Sequence, residues 1–157
     1  MRTVLRCPGY GIVSASEGSG LLPWSWAVER LRRSHNYFIA TTRPDGRPHC
    51  MPVWGVWLDD SFCFSTGGQS AKARNLARNR HCVVTIEKAD EAVIVEGLAT
   101  AESEREFLER AGQLYAAKYP PYTLDPSLGP IFVVAPRVMF GIVEAQMATT
   151  ATRWIFR

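Results

Sequence analysis

The sequence is short of the groups that usually mark an active site. Its four cysteines, Cys7, Cys50, Cys63 and Cys82, include no C-x-x-C pair, and its three histidines, His35, His49 and His81, show no metal-ligand spacing. That argues against a zinc or haem site. There is no G-x-S-x-G, no Cys–His pair with local support and no spaced carboxylate dyad. No side chain stands out as acid, base or nucleophile, so any reactivity is expected to come from a cofactor. Net charge is small: 18 Lys and Arg against 15 Asp and Glu give +3, too mild to argue for nucleic acid. No apolar run reaches ~20 residues and no signal-peptide pattern appears. The expectation is a cytoplasmic protein with buried free thiols and neither a membrane nor a nucleic acid as partner.

What is present is ordinary globular material. At 157 residues with 46% hydrophobic content, one domain with a real core is expected. Residues 1–22, with "GYGIVSASEGSGLL", read as a Gly/Ser-rich arm, and 23–157 as the domain. "PWSWAVERLRRS" from Pro23 has helical spacing. Strands are expected at 36–42, 47–58 and 61–66, then a helix after Ser70, then strands at 82–88 and 91–102. A helix over 103–119 begins at Ser103 with Glu106 three residues on, a capping-box pattern. Strands at 131–145 and in "TRWIFR" complete the chain. Tight turns between strands mean antiparallel pairing, and the helices are too few to cover a parallel sheet. The class is mainly β (α+β), a small bent antiparallel barrel with peripheral helices.

The stretch "FSTGGQSAKARNLARN", residues 64–79, places two hydroxyls, two glycines and a cation where a strand becomes a helix. Ser65, Thr66, Ser70 and Lys72 could converge on one phosphate, with free backbone N–H groups and the helix dipole behind them. A capped surface helix with solvated cations fits the same residues equally well. In "RPHCMPVWGVWL", Pro52 cannot donate to a ladder, so pairing is interrupted there at a bulge or an edge. Trp54 and Trp57 beside it offer flat apolar surface, suited to a planar heterocycle or equally to a core. Gly97 within a strand marks a further bulge.

Taken in order, "ATTRPDGRPHCMPVWGVWLDD", "FCFSTGGQSAKARNLARN" and "CVVTIEKADEAVIVEGLA" resemble the pyridoxamine 5'-phosphate oxidase-like split β-barrels, from about Trp24 to the end. The resemblance implies a homodimer that binds FMN or the deazaflavin coenzyme F420 in grooves between subunits. Carried over by position, Ser65, Thr66, Ser70 and Lys72 would hold the cofactor phosphate, and Asn75 would line the groove. His49, Met51, Pro52, Val53 and Trp54 would lie along the ring system, and Arg153 and Trp154 would reach the partner's site. The chain lacks the R-x-H element that pyridoxamine phosphate oxidases carry near the C-terminus, and its "KARNL" helix looks more like the F420-dependent branch. There Arg74 and Arg78 would serve a long acidic cofactor tail. The implied function is hydride transfer between F420 and a small unsaturated substrate. The alternatives are an FMN-dependent reductase or oxidase, or a flavin, deazaflavin or haem carrier without turnover.

Overall fold

The computed structural model describes residues 20–156 and the backbone of residues 2–6. Nine strands and four α-helices follow one another among the described residues. They are β1 (Arg2–Arg6), α1 (Trp24–Arg33), β2 (Tyr37–Thr42), β3 (Pro48–Val53), β4 (Gly55–Leu58) and β5 (Ser61–Ser65), then α2 (Ala71–Arg78). After these come β6 (His81–Ile86), β7 (Glu91–Ala101), α3 (Arg105–Lys118), β8 (Ile131–Val143), α4 (Met147–Thr150) and β9 (Thr152–Phe156). All pairing is antiparallel.

The sheet curls because β8 is long enough to serve two neighbours on one edge. Its first half, Ile131–Val134, pairs with β5, and its second half, Val138–Gly141, pairs with β9. β7 runs along the whole of its other edge. The corner is built where β7 slips register between Glu96 and Gly97, opposite Pro136, which has no N–H to offer. A Cβ on Gly97 would lie 2.5 Å from the Ala135 carbonyl oxygen, so the close crossing there needs glycine. Following the ladders gives the order β3-β2-β6-β7-β8-β5-β4. β3 and β4 are consecutive in sequence yet share no ladder among the described residues, so the barrel is split between them.

Period-two alternation fills the interior. Tyr37, Ile39, Phe62, Phe64, Val84, Val93, Val95, Val134 and Met139 point inward and are buried, with Leu31 of α1 and Leu76 of α2 against them. A second cluster lies under α3, where Ala111, Tyr115 and Tyr119 pack on Val56, Cys63 and Ile131.

Several expectations are corrected. The run 47–58 is two strands, broken at Trp54. The cap of α3 is Glu104, whose carboxylate accepts from the N–H groups of Glu106 and Phe107; Ser103 is not the cap. Part of the expected arm is sheet: Arg2–Arg6 pairs with β9, and the Leu22 N–H donates to Thr152 Oγ1 at 2.9 Å. Residues 7–19, Cys7 included, lie outside the described residues. Cys63 and Cys82 are buried free thiols, while Cys50 is exposed.

Candidate functional site

The junction from β5 to α2 forms a cradle. Ser70 is the N-cap of α2: its hydroxyl accepts from the Ala73 N–H at 3.2 Å and lies 3.0 Å from Thr66 Oγ1. The Ser70 N–H bonds back to the Gly67 carbonyl at 2.9 Å, closing the turn. Gly129 lies beneath it, where a Cβ would sit 2.2 Å from the Thr66 carbonyl oxygen, so β8 can enter only with glycine there. The space over Gly67 is open. Ser65 does not join this group. Its side chain faces Tyr115 on the α3 side of β5, because alternation sends Phe64 into the barrel and Ser65 the other way.

Helix α2 then brings Lys72 and Asn75 against the β2–β3 hairpin. Asn75 is buried and donates to Thr41 Oγ1 at 3.0 Å, and Thr41 stands directly across from His49. His49 keeps a buried Nδ1 with no partner. Burial, then Arg43 and Lys72, holds its imidazole below the usual value. Burial likewise lowers Lys72. Two groups are thus pushed toward losing charge beside other cations, a poor arrangement unless an anion is meant to sit there. Beyond them Arg43, Arg47, Arg74 and Arg78 line a cleft of about 300 Å³ with Asp45. Asp45 is taken by Arg47 at 2.8 Å, and Arg74 donates to the Gln69 carbonyl. Among the described residues, Arg43, Lys72 and Arg78 have no carboxylate within ion-pair distance, although Asp45 feels Arg43 from further off.

From this end β3 leads toward the split. His49, Met51 and Val53 share the face that carries Thr41, Ile39 and Tyr37 on β2. Met51 is 45% exposed because β3 is an edge strand, whereas Val53 is buried in the core. Pro52 is exposed on the opposite face, beside Phe38. Five residues of strand, about 17 Å, separate His49 from Trp54.

Trp54 ends the strand as a supported flat wall. Its ring stacks on Tyr119 at 4.9 Å and 9°, Tyr122 packs on it at 5.1 Å, and its indole N–H donates to Asn36 Oδ1 at 3.2 Å. One face of the split is closed by α3 instead of by strand pairing. The Tyr119 hydroxyl accepts from the Gly55 N–H at 3.1 Å, and its own proton is shared between the carbonyls of His35, 2.8 Å away, and Gly55, 2.9 Å away. Lys118 Nζ donates to the Gly55 carbonyl at 3.1 Å and to Tyr37 Oη at 2.6 Å. Gly55 itself is obligatory, since a Cβ would lie 2.3 Å from the Phe62 ring.

Sequence reasoning therefore missed Thr41, Arg43, Asn36, Tyr119 and Tyr122. The only hint was the aromatic density of "YPPY" after α3. The last strand divides its two candidates. Trp154 is fully buried in the core, edge-on to Trp24 at 5.8 Å and lying over Gly141, so its ring has no face free for a ligand. Arg153, by alternation, points to the outer side of the sheet, beside Phe140.

The family model for pyridoxamine 5'-phosphate oxidase matches residues 26–139. No curated protein matches. Among solved structures, a conserved hypothetical protein from Mycobacterium tuberculosis is 24% identical with a TM-score of 0.66, covering 78% of this chain and 86% of its own. An F420 reductase is 22% identical, with a TM-score of 0.57 over 75% of this chain and 98% of that one. A haem-binding protein from Mycobacterium smegmatis is 19% identical, with a TM-score of 0.59 over 78% of this chain and 55% of that one. At these identities the structures speak for a shared fold. With the split barrel and a family match over more than half its length, the chain belongs to the pyridoxamine 5'-phosphate oxidase family.

Proposed function

We propose that this protein is a cytoplasmic homodimeric oxidoreductase that binds coenzyme F420 along β3 and passes a hydride between it and a small unsaturated substrate. The observation that carries the reading is the orphaned Nδ1 of His49 beside Lys72 and Arg43, neither in an ion pair, with Arg78 in the adjoining cleft and the Thr66–Ser70 cradle on the same helix cap. A phosphate fits that donor set, and the open space over Gly67 lets it approach the backbone. Arg43 and Arg78 extend the positive charge past what a single phosphate needs, which favours a longer polyanion over FMN.

The cofactor supplies the hydride chemistry when bound. This chain's residues bind, orient and exclude water. Lys72, Ser70 and Thr66 fix the anionic end, Met51 lines the path, and Trp54, braced by Tyr119 and Asn36, gives the ring a rigid face to lie on.

The outer face of the sheet supports the dimer. A row of Pro52, Phe38, Thr85, Ile94, Phe140 and Arg153 runs across six strands, beside the shorter row Ala40, Val83, Glu96 and Val138. Two charges among ten positions leave an apolar face of the kind that two-fold pairing covers. In this arrangement Arg153 is presented to the second subunit.

Fluorescence titration with F420 and with FMN at two salt concentrations tests the assignment. F420 should bind more tightly, with the greater loss at high salt, since exposed charges are screened over ~8 Å at physiological ionic strength. Tighter FMN binding at both salts contradicts the F420 reading and supports the flavin one. Sedimentation equilibrium tests the dimer: Phe140→Glu should yield monomer with weakened cofactor binding, and a wild-type monomer with full affinity contradicts the shared site.

A further inference from the structure

A second cleft lies on the α1–α3 side of the barrel, and no part of the cradle or of the β3 path lines it. It measures about 530 Å³ and is lined by Val56, Trp57 and Leu58 of β4, Leu114, Ala117 and Lys118 of α3, and Arg32 of α1. The size falls in the range of small-molecule sites, roughly 300–1,000 Å³. We propose that this cleft binds a single-chain amphiphile with a carboxylate head, its tail along Val56, Leu58, Leu114 and Ala117 and its head held by Arg32 and Lys118.

The walls are apolar yet unfilled. Leu114 stays 44% exposed on α3, and Ala117 beside it is exposed too, while Ala111 and Tyr115 of the same helix are buried. Among the described residues β4 has a strand neighbour on one edge only, and α1 and α3 both pack against it with the cleft between them. Neither cation has a carboxylate within ion-pair distance among the described residues, although Glu87 acts on Lys118 from further off. Arg32 sits between Arg30, paired with Glu91 at 2.6 Å, and Arg33, paired with Glu29 at 2.9 Å, but has no carboxylate of its own. Lys118 is held by two neutral acceptors, Tyr37 Oη and the Gly55 carbonyl. An ammonium makes three donations, and these two contacts leave one. Burial, only partly offset by Glu87, pulls Lys118 down to about 8. An anion beside it would reverse that cost. The wall also includes Trp57, whose buried indole N–H has no partner.

One head group of single negative charge fits best. The arginine fork accepts a carboxylate through two parallel bonds, and Lys118 adds a third. A neutral head would leave Arg32 without a carboxylate, and a cationic one would be repelled.

Decanoate is the probe, measured by isothermal titration against decanol and decyltrimethylammonium. Saturable one-to-one binding of decanoate is expected, at least tenfold tighter than either control. Arg32→Gln, on an exposed side chain, should weaken decanoate at least fivefold without changing the weak decanol response. Leu114→Asp should abolish binding while leaving the sedimentation coefficient and F420 affinity unchanged. Lys118→Met should act like Arg32→Gln where it folds, and the first two variants decide the matter where it does not. Absent or unsaturable binding, equal binding of decanol, or an unaffected Arg32→Gln overturns the proposal. A shift in sedimentation caused by Leu114→Asp also overturns it, because the cleft is then covered by another copy of the chain.

Discussion

Helices α1 and α2 look alike in sequence, each short, basic and strongly amphipathic, but two of the three cations on α1 meet carboxylates and none of the three on α2 does. In α1, Arg30 forms a two-pronged pair with Glu91 and lies 3.9 Å over the Trp26 ring, and Arg33 reaches Glu29 within the helix. α2, "AKARNLAR", has no acidic residue, and the nearest carboxylate across the hairpin, Asp45, is committed to Arg47. Paired cations on α1 help hold the helix on the barrel. Those on α2, in no ion pair and beside a capped turn and an orphaned imidazole nitrogen, form the proposed place for an anion. Basic content alone does not separate the two; the position of carboxylates in the folded chain does.

The largest expected effect comes from outside both helices. Tyr119→Leu strands the Gly55 N–H and removes the ring behind Trp54. It should cost about 3–5 kcal/mol, or roughly 6–20 °C in melting temperature. Tyr119→Phe keeps the ring and should cost about 1–2 kcal/mol. If Trp54 is the wall, cofactor affinity should fall for Leu and be largely retained for Phe. Equal loss of affinity in both would assign the effect to the hydroxyl and weaken the stacking account.

Arg30→Ala should cost about 1 kcal/mol of stability, discounted because Glu91 is well exposed, and leave cofactor affinity within twofold. A large loss of affinity would break the division between the helices. The smallest effect concerns His49. Its folded value lies below the unfolded one, so protonation disfavours the fold. The stability it contributes is complete above about 6.5 and is lost as pH falls through its depressed folded value. His49→Gln should therefore gain stability relative to wild type between pH 7 and 5 in thermal melts. Bound anionic cofactor should shrink that gain, and a pH-independent difference would remove His49 from the anion site.

Much of this was legible beforehand, and the reasons differ from place to place. Ser70 as N-cap, the bulge at Gly97 and the edge position of Pro52 follow from residues whose backbone chemistry is restrictive. The break at Trp54 was hidden, because an unbroken apolar run reads as one strand whether or not its partner changes. Ser65 and Trp154 face away from the other candidates for the same reason as each other: a resemblance gives positions along the chain, but strand alternation decides which side each one faces. Tyr119 and Lys118 could not be seen, since they act on Gly55 from more than sixty residues away.

The central claim is that α2 carries a functional anion site, and Lys72→Ala tests it most directly when F420 affinity and apo melting temperature are measured on the same protein. A charge-assisted contact is worth about 1.5–3 kcal/mol. Affinity should therefore fall roughly tenfold or more while the apo melting temperature moves by no more than about 2 °C. Unchanged affinity with a much earlier melt would contradict the claim and make Lys72, like Arg30, a residue of the fold.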